Sequence, residues 1–293
     1  MKIMCIHAHF DDFEFVAAGT FEMWRRRLGG ALAARLVVCT DGTAGHHFRS
    51  REETGRVRLE EQLASARIGN YELAPLRLPD GSRPREASLR VTIPLMAAIW
   101  KAIRDFEPDY LFCPPLPRDP LAGIHVDHAA VAQAVREVAY MINVPHAFSP
   151  EYPADETRST PCKVPVILNT YDSYQFGSNG CDLAVEVEEA FDLVARMAWC
   201  HQSQVCEWLP WVGRHQMPVP ASLEEFTATL RRHSERRNGE LGLPPAPAVE
   251  AFTVTAWGIV PTLARLTRDF PGLSPRSNLA GLGQRLERWG AGT

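Results

Sequence analysis

No two of the seven cysteines form a CxxC pair, and an odd count leaves no closed disulfide framework. Cys5, Cys39 and Cys113 lie inside apolar, strand-like runs, where a thiol behaves as a small hydrophobe. A reducing, cytoplasmic setting is the expectation. No run reaches the roughly 20 apolar residues that span a bilayer, so no membrane span is expected. The opening MKIMCIHAHFDD is broken by His7, His9 and two aspartates before a signal-peptide apolar region can form. An excess of one charge is also missing. The formal net charge of −4 supplies no attraction for nucleic acid or an anionic membrane surface. No GxGxxG follows the first apolar run, where a dinucleotide fingerprint belongs.

What is present is an ordinary globular composition over 293 residues, enough for one large core. Residues 2–7 read as a buried strand. Residues 13–28 read as an amphipathic helix with basic residues in its last turn and Gly29-Gly30 as its stop. Residues 33–40 are a second strand, 52–68 a helix, and 72–78 a third strand. A helix over 88–106, a strand over 110–113 and a helix over 127–142 follow. Residues 145–163 are a Pro-, Ser- and Thr-rich loop, 164–170 another strand and 187–206 another helix. Residues 221–237 and 250–268 read as extra helices, and the last 20 residues as a frayed tail. Strands alternating with helices over short connections predict an α/β, Rossmann-like, mostly parallel sheet with helices on both faces and a C-terminal helical extension. The expected division is a core over 1–206 and an extension over 207–293 packed on it.

Two stretches carry the chemistry. His9-Phe10-Asp11-Asp12 follows the first strand, and His125-Val126-Asp127-His128 follows the fourth. In parallel sheets ligands bind beyond the carboxyl ends of strands, and both stretches fall there. His9 and Asp12 can meet one metal ion while Asp11, pointing elsewhere, stays free as a general base. His125 and His128 share a face at a helix start; either can complete a His2Asp site while the other faces the reacting group. Asp127 can fix the tautomer of a neighbouring histidine. Read singly, each motif also fits a turn or an N-cap; their joint position favours a metal centre.

As a set these residues resemble the LmbE/PIG-L family of zinc-dependent deacetylases. The resemblance rests on Ala8-His9-Phe10-Asp11-Asp12, on Gly19-Thr20, and on Thr40-Asp41-Gly42-Thr43-Ala44-Gly45. It continues through His125-Val126-Asp127-His128 to His201-Gln202-Ser203-Gln204, spanning residues 2–205 in the family's order. It implies that His9, Asp12 and His128 hold zinc, or iron or another divalent ion, and that Asp11 is the base. It further implies that a protonated His125, with Asp127 behind it, stabilises the oxyanion or protonates the leaving amine. Phe10 stands where the family has Pro, and Phe13 where it has Glu, with Glu14 one residue off. Val57 stands at the family's Arg position, flanked by Arg56 and Arg58. No Tyr precedes His125. Arg58, Asp80 and His201 are the candidate substrate contacts.

The implied function is hydrolytic removal of an N-acetyl or other acyl group from an amino-sugar-type small molecule, by a protein that can self-associate. The alternatives are a zinc amidase acting on a non-sugar or thiol-conjugate amide, and a non-catalytic nucleotide-binding module using the loop 41–45. His46-His47, Arg118 and Asp119 are read as loop residues, and Trp208 and Trp211 as packing aromatics.

Overall fold

The computed structural model describes residues 1–155, 161–213 and 217–291. Seven strands are present among them: β1 (Lys2–His7), β2 (Ala33–Val38), β3 (Glu72–Pro75), β4 (Tyr110–Cys113), β5 (Val166–Asn169), β6 (Leu183–Glu186) and β7 (Val249–Val254). They form one sheet in the order β3-β2-β1-β4-β5-β7-β6. The first five are parallel, whereas β7 runs antiparallel to both β5 and β6. The helices are α1 (Asp12–Val16), α2 (Ala18–Leu28), α3 (Arg51–Gly69), α4 (Ile93–Phe106), α5 (Val126–Met141), α6 (Phe191–Trp199), α7 (Leu209–Val212), α8 (Leu223–Glu240), α9 (Leu263–Asp269) and α10 (Leu279–Arg288).

The near-continuous apolar run of β1 is explained by cores on both faces of the sheet. Ile3 and Cys5 join Trp24 of α2, Met197 of α6 and Phe252 of β7, while Met4 and Ile6 join Trp100 of α4 and Val135 of α5. Ser50 accepts a backbone N–H bond at the start of α3; Thr92 does the same for α4, so the helix expected over 88–106 begins only at Ile93.

Four further element readings change. The helix expected over 13–28 breaks at Ala17, whose φ of −147° is not helical. The break exposes a second helix N-terminus, and the amides of Gly19 and Thr20 donate to the buried Glu250 carboxylate at 2.8 and 2.7 Å. A Cβ on Gly19 would stand 2.8 Å from Val187 Cβ, so the close approach requires glycine. The helix expected over 250–268 is instead β7 followed by α9; all six β7 residues are buried, and insertion between β5 and β6 overrides helical propensity. The supposed frayed tail contains α10, with Leu282 and Leu286 buried against the core and Asn278 as its cap. The helix expected over 187–206 gives way after Trp199 to a wider turn over Ser203–Trp208. No described helix is long and apolar enough to cross a membrane.

Candidate active site

The carboxyl ends of β1, β4 and β5 converge on one cavity of about 380 Å³. β1 ends at His7, and the chain turns through Ala8–Asp11 into α1, so His9, Asp11 and Asp12 are all delivered within five residues. From β4 a loop leads to His125, which caps α5 and puts His128 on its first turn. These stretches, over a hundred residues apart in sequence, meet. His9 Nδ1 lies 3.2 Å from an Asp12 carboxylate oxygen and 3.2 Å from His128 Nε2; His128 Nε2 lies 3.4 Å from the other Asp12 oxygen.

That spacing can be tested against a metal ion. Ligands about 2.0–2.1 Å from a tetrahedral ion stand about 3.3 Å from one another. The backing groups agree. His9 Nε2 meets Asp127 at 3.0 Å and His128 Nδ1 meets Asp172 at 3.2 Å, so each imidazole has its far nitrogen on a carboxylate and its near nitrogen aimed at the shared point. Burial alone would lower both histidines, yet Asp12 chiefly, with Asp127 or Asp172, raises His9 to about 9 and His128 to about 10. Two protonated ring nitrogens 3.2 Å apart would repel; two lone pairs facing one cation do not. The donor set fits a divalent ion in place of those protons.

Asp11 and Asp12 are adjacent but electrostatically opposite. Burial pushes Asp11 up to about 6, against the pull of Arg58. Asp12, partly buried, is held well below the carboxylate range by His7, His128 and His9 against its desolvation. Asp11 adopts φ 90°, a left-handed backbone costly for a residue with a Cβ. Its amide donates to Gln62 at 2.9 Å, and its carboxylate meets Arg58 at 3.3 Å. Phe10 turns away into the core, under Gly42, where a Cβ would stand 2.5 Å from its ring.

Several assigned roles are corrected by this geometry. Asp127 does not stand behind His125; its carboxylate holds His9 and accepts the amides of Ala87 and Leu89 at 2.6 and 2.9 Å. His125 is not an imidazolium at rest: burial, then the neighbouring His9 and His128, lowers it to about 4. Its Nδ1 accepts the Asp127 amide at 3.2 Å, which leaves the neutral ring's proton on Nε2. Asp80 is exposed and bonded to Ser82 in a turn, away from the cavity. His201 is fully buried 3.5 Å from Glu14 and does not line the cavity. Arg58 does line it, but its guanidinium is engaged by Glu86 at 2.5 Å, the Phe10 carbonyl at 2.7 Å and Asp11. Val57 at the expected arginine position is thus answered one residue later. Glu14 likewise occupies the inward place, held by Gln62, Ser65 and Tyr71, while Phe13 packs on Phe21.

Three residues went unassigned. His7 Nδ1 holds Asp12 at 2.6 Å; its alternation with His9 along one strand end was the available signal. Asp172 follows the end of β5, another strand terminus of the same sheet. Tyr174 packs its ring 5.1 Å from His125. Among the aromatics, Trp208 lines the cavity and stacks on Trp211, which stacks in turn on His47.

Residues 4–139 match the model of the PIG-L family, described as GlcNAc-PI de-N-acetylase. The chain carries a PIG-L domain. Solved structures share its fold. N,N'-diacetylchitobiose deacetylase from Pyrococcus horikoshii is 19% identical, with a TM-score of 0.64 over 87% of this chain and 84% of that one. GalB, the 4-carboxy-2-hydroxymuconate hydratase of Pseudomonas putida KT2440, is 14% identical, with a TM-score of 0.58 over 87% and 95%. The A40926 pseudoaglycone deacetylase Dbv21 is 14% identical, with a TM-score of 0.53 over 88% and 98%. No curated protein matches the chain significantly. The PIG-L domain supplies β1 to β4 and α1 to most of α5, whereas Asp172, α8 and β7 lie beyond it.

Proposed function

We propose that the protein is a metal-dependent amide hydrolase that removes an N-acyl group, in the simplest case acetyl, from an amine on a sugar-type substrate. The carrying observation is the triangle of His9 Nδ1, Asp12 and His128 Nε2 at 3.2–3.4 Å, with the Asp11 carboxylate beside it and outside it. His9, Asp12 and His128 would hold the cation; a His2Asp set suits zinc, and iron(II) is the alternative. Such a cation lowers the pKa of water and polarises an amide carbonyl. Asp11, raised to about 6, takes the proton of the attacking water near neutral pH and passes it to the departing amine nitrogen. Arg58 and Gln62 hold Asp11 in place. His125, with its proton on Nε2, donates a hydrogen bond to the oxygen that gains charge. On this reading residues 1–206 are the catalytic core, and 207–293 contribute cavity wall and sheet.

A second reading, hydrolysis of a non-sugar amide, is favoured by the engagement of Arg58 with Glu86 and by the remoteness of Asp80. The nucleotide-binding reading is disfavoured by the loop itself, because the amides of Ala44 and Gly45 already donate to Glu86.

The test combines metal analysis with a panel of N-acyl amino sugars and simple N-acyl amines. Asp11→Ala is expected to keep its metal and lose roughly 10²–10⁴ in kcat. Parental turnover by that variant would remove Asp11 as the base.

A further inference from the structure

The cavity continues past the histidines and carboxylates. Its far part lies between α1, α6 and α8, walled by Phe15, Val16, Phe191, Val194 and Leu230, with His233 and Arg237 of α8 as polar lining beside them. A smaller annex of about 50 Å³ shares Phe15, Leu209 and Leu230 with it and runs on to Val205 and Phe226. An acetyl group presents one methyl, and a sugar ring presents hydroxyls; neither calls for so much aliphatic and aromatic wall.

The space has a local origin in α8. This helix turns Phe226, Leu230, Ser234 and Asn238 inward at four-residue spacing. The third position carries a serine, which fills less space than Phe226 or Leu230 before it. Ser234 is buried and its Oγ has no partner; Glu14, lining the same cavity, also has one carboxylate oxygen without a partner. Water can serve those polar atoms, whereas an alkyl chain laid against the apolar side chains of Phe15, Val16, Phe191, Val194 and Leu230 sheds its own hydration.

We infer that the chamber between α1, α6 and α8 is a subsite for an alkyl chain of the substrate. The inference rests on the hydrolase reading above and extends it: the amide is cleaved at the metal-binding triangle while a chain on its acyl side or on its amine side lies along α8. The shared chemistry is a linear aliphatic group, and the two attachments are separable by experiment.

Two substrate series are compared, N-acetyl-, N-butanoyl- and N-octanoylglucosamine in one, and methyl, butyl and octyl N-acetylglucosaminides in the other. Calorimetric titration of the same compounds into Asp11→Asn protein reads binding without turnover. In one series affinity is expected to rise about three- to fourfold per added methylene until the chamber is full. Ser234→Leu and, independently, Val194→Phe fill the chamber and should abolish that rise. Whichever series responds names the attachment. A flat response in both series, or a rise that both filling variants leave intact, overturns the chamber. Binding of the longer compounds without hydrolysis of any amide would instead refute the hydrolase reading and leave the chamber standing.

Discussion

Around the ends of β1, β4 and β5, the side chains of the site are polar, buried and tied to one another: His7 to Asp12, His9 to Asp127, His128 to Asp172, and Arg58 to both Glu86 and Asp11. At the antiparallel end, where β7 sits between β5 and β6, the same cavity is walled by Val187, Phe191 and Leu230, and the buried Glu250 serves a helix terminus instead of a reaction. The first region holds charges at fixed distances, which only a dense web of partners can do in a low-dielectric interior. The second sets shape and volume. One sheet thus presents chemistry along its parallel half and fit along its antiparallel edge.

The sharpest way to break that division is to remove a vertex of the triangle. His9→Ala, Asp12→Ala or His128→Ala should each abolish activity together with bound metal, read by elemental analysis. Retained stoichiometric metal in all three would dissolve the proposed centre. Next in size are the backing carboxylates. Asp127→Asn and Asp172→Asn are expected to weaken metal affinity by about 10–100-fold while the fold is kept. Unchanged affinity in both would mean that the bonds to His9 and His128 are incidental.

A smaller effect comes from pH. Asp11 must be ionised to accept a proton, and burial raises it to about 6. A cation at the triangle would take the place of the His9 charge that already lowers Asp11, so the acid limb of kcat/KM should lie near pH 6, with rate falling about tenfold per unit beneath it. An acid limb above pH 7 would point to a different base. His125, lowered to about 4, stays neutral across the working range and should contribute no limb there.

The smallest effect probes the other region. Glu250→Ala leaves the amides of Gly19 and Thr20 without their acceptor in a buried place. A loss of about 2 kcal/mol is expected, equivalent to about 4–8 °C in Tm, with metal content unchanged. If this variant lost metal as well, the two ends of the sheet would not be separable.

Legibility followed the same line. β1, β4 and α5 were readable because buried strands, helix caps and amphipathic periods act over a few residues, and His9, Asp11, Asp12, His125 and His128 lie within or beside them. Val249–Val254 misled because a six-residue stretch holding Glu250 and Thr253 carries no reliable period; its neighbours in the sheet, β5 and β6, lie far off in sequence. The break at Ala17 answers to a carboxylate 230 residues downstream of Thr20. Asp80 and His201 show the reverse error: residue type and order resembled a family pattern, but a turn and a buried Glu14 contact claimed the side chains.

What the sequence determined by itself is the α/β alternation and the presence of two His/Asp stretches at strand ends, since both depend on short-range spacing. Only the tertiary structure decided which nitrogen of each histidine faces the shared point, which carboxylate backs it, why two adjacent aspartates titrate apart, and how wide the cavity is beside α8. Those properties depend on distances between groups brought together by packing, and burial changes the energy of a charge far more than its place in the chain does.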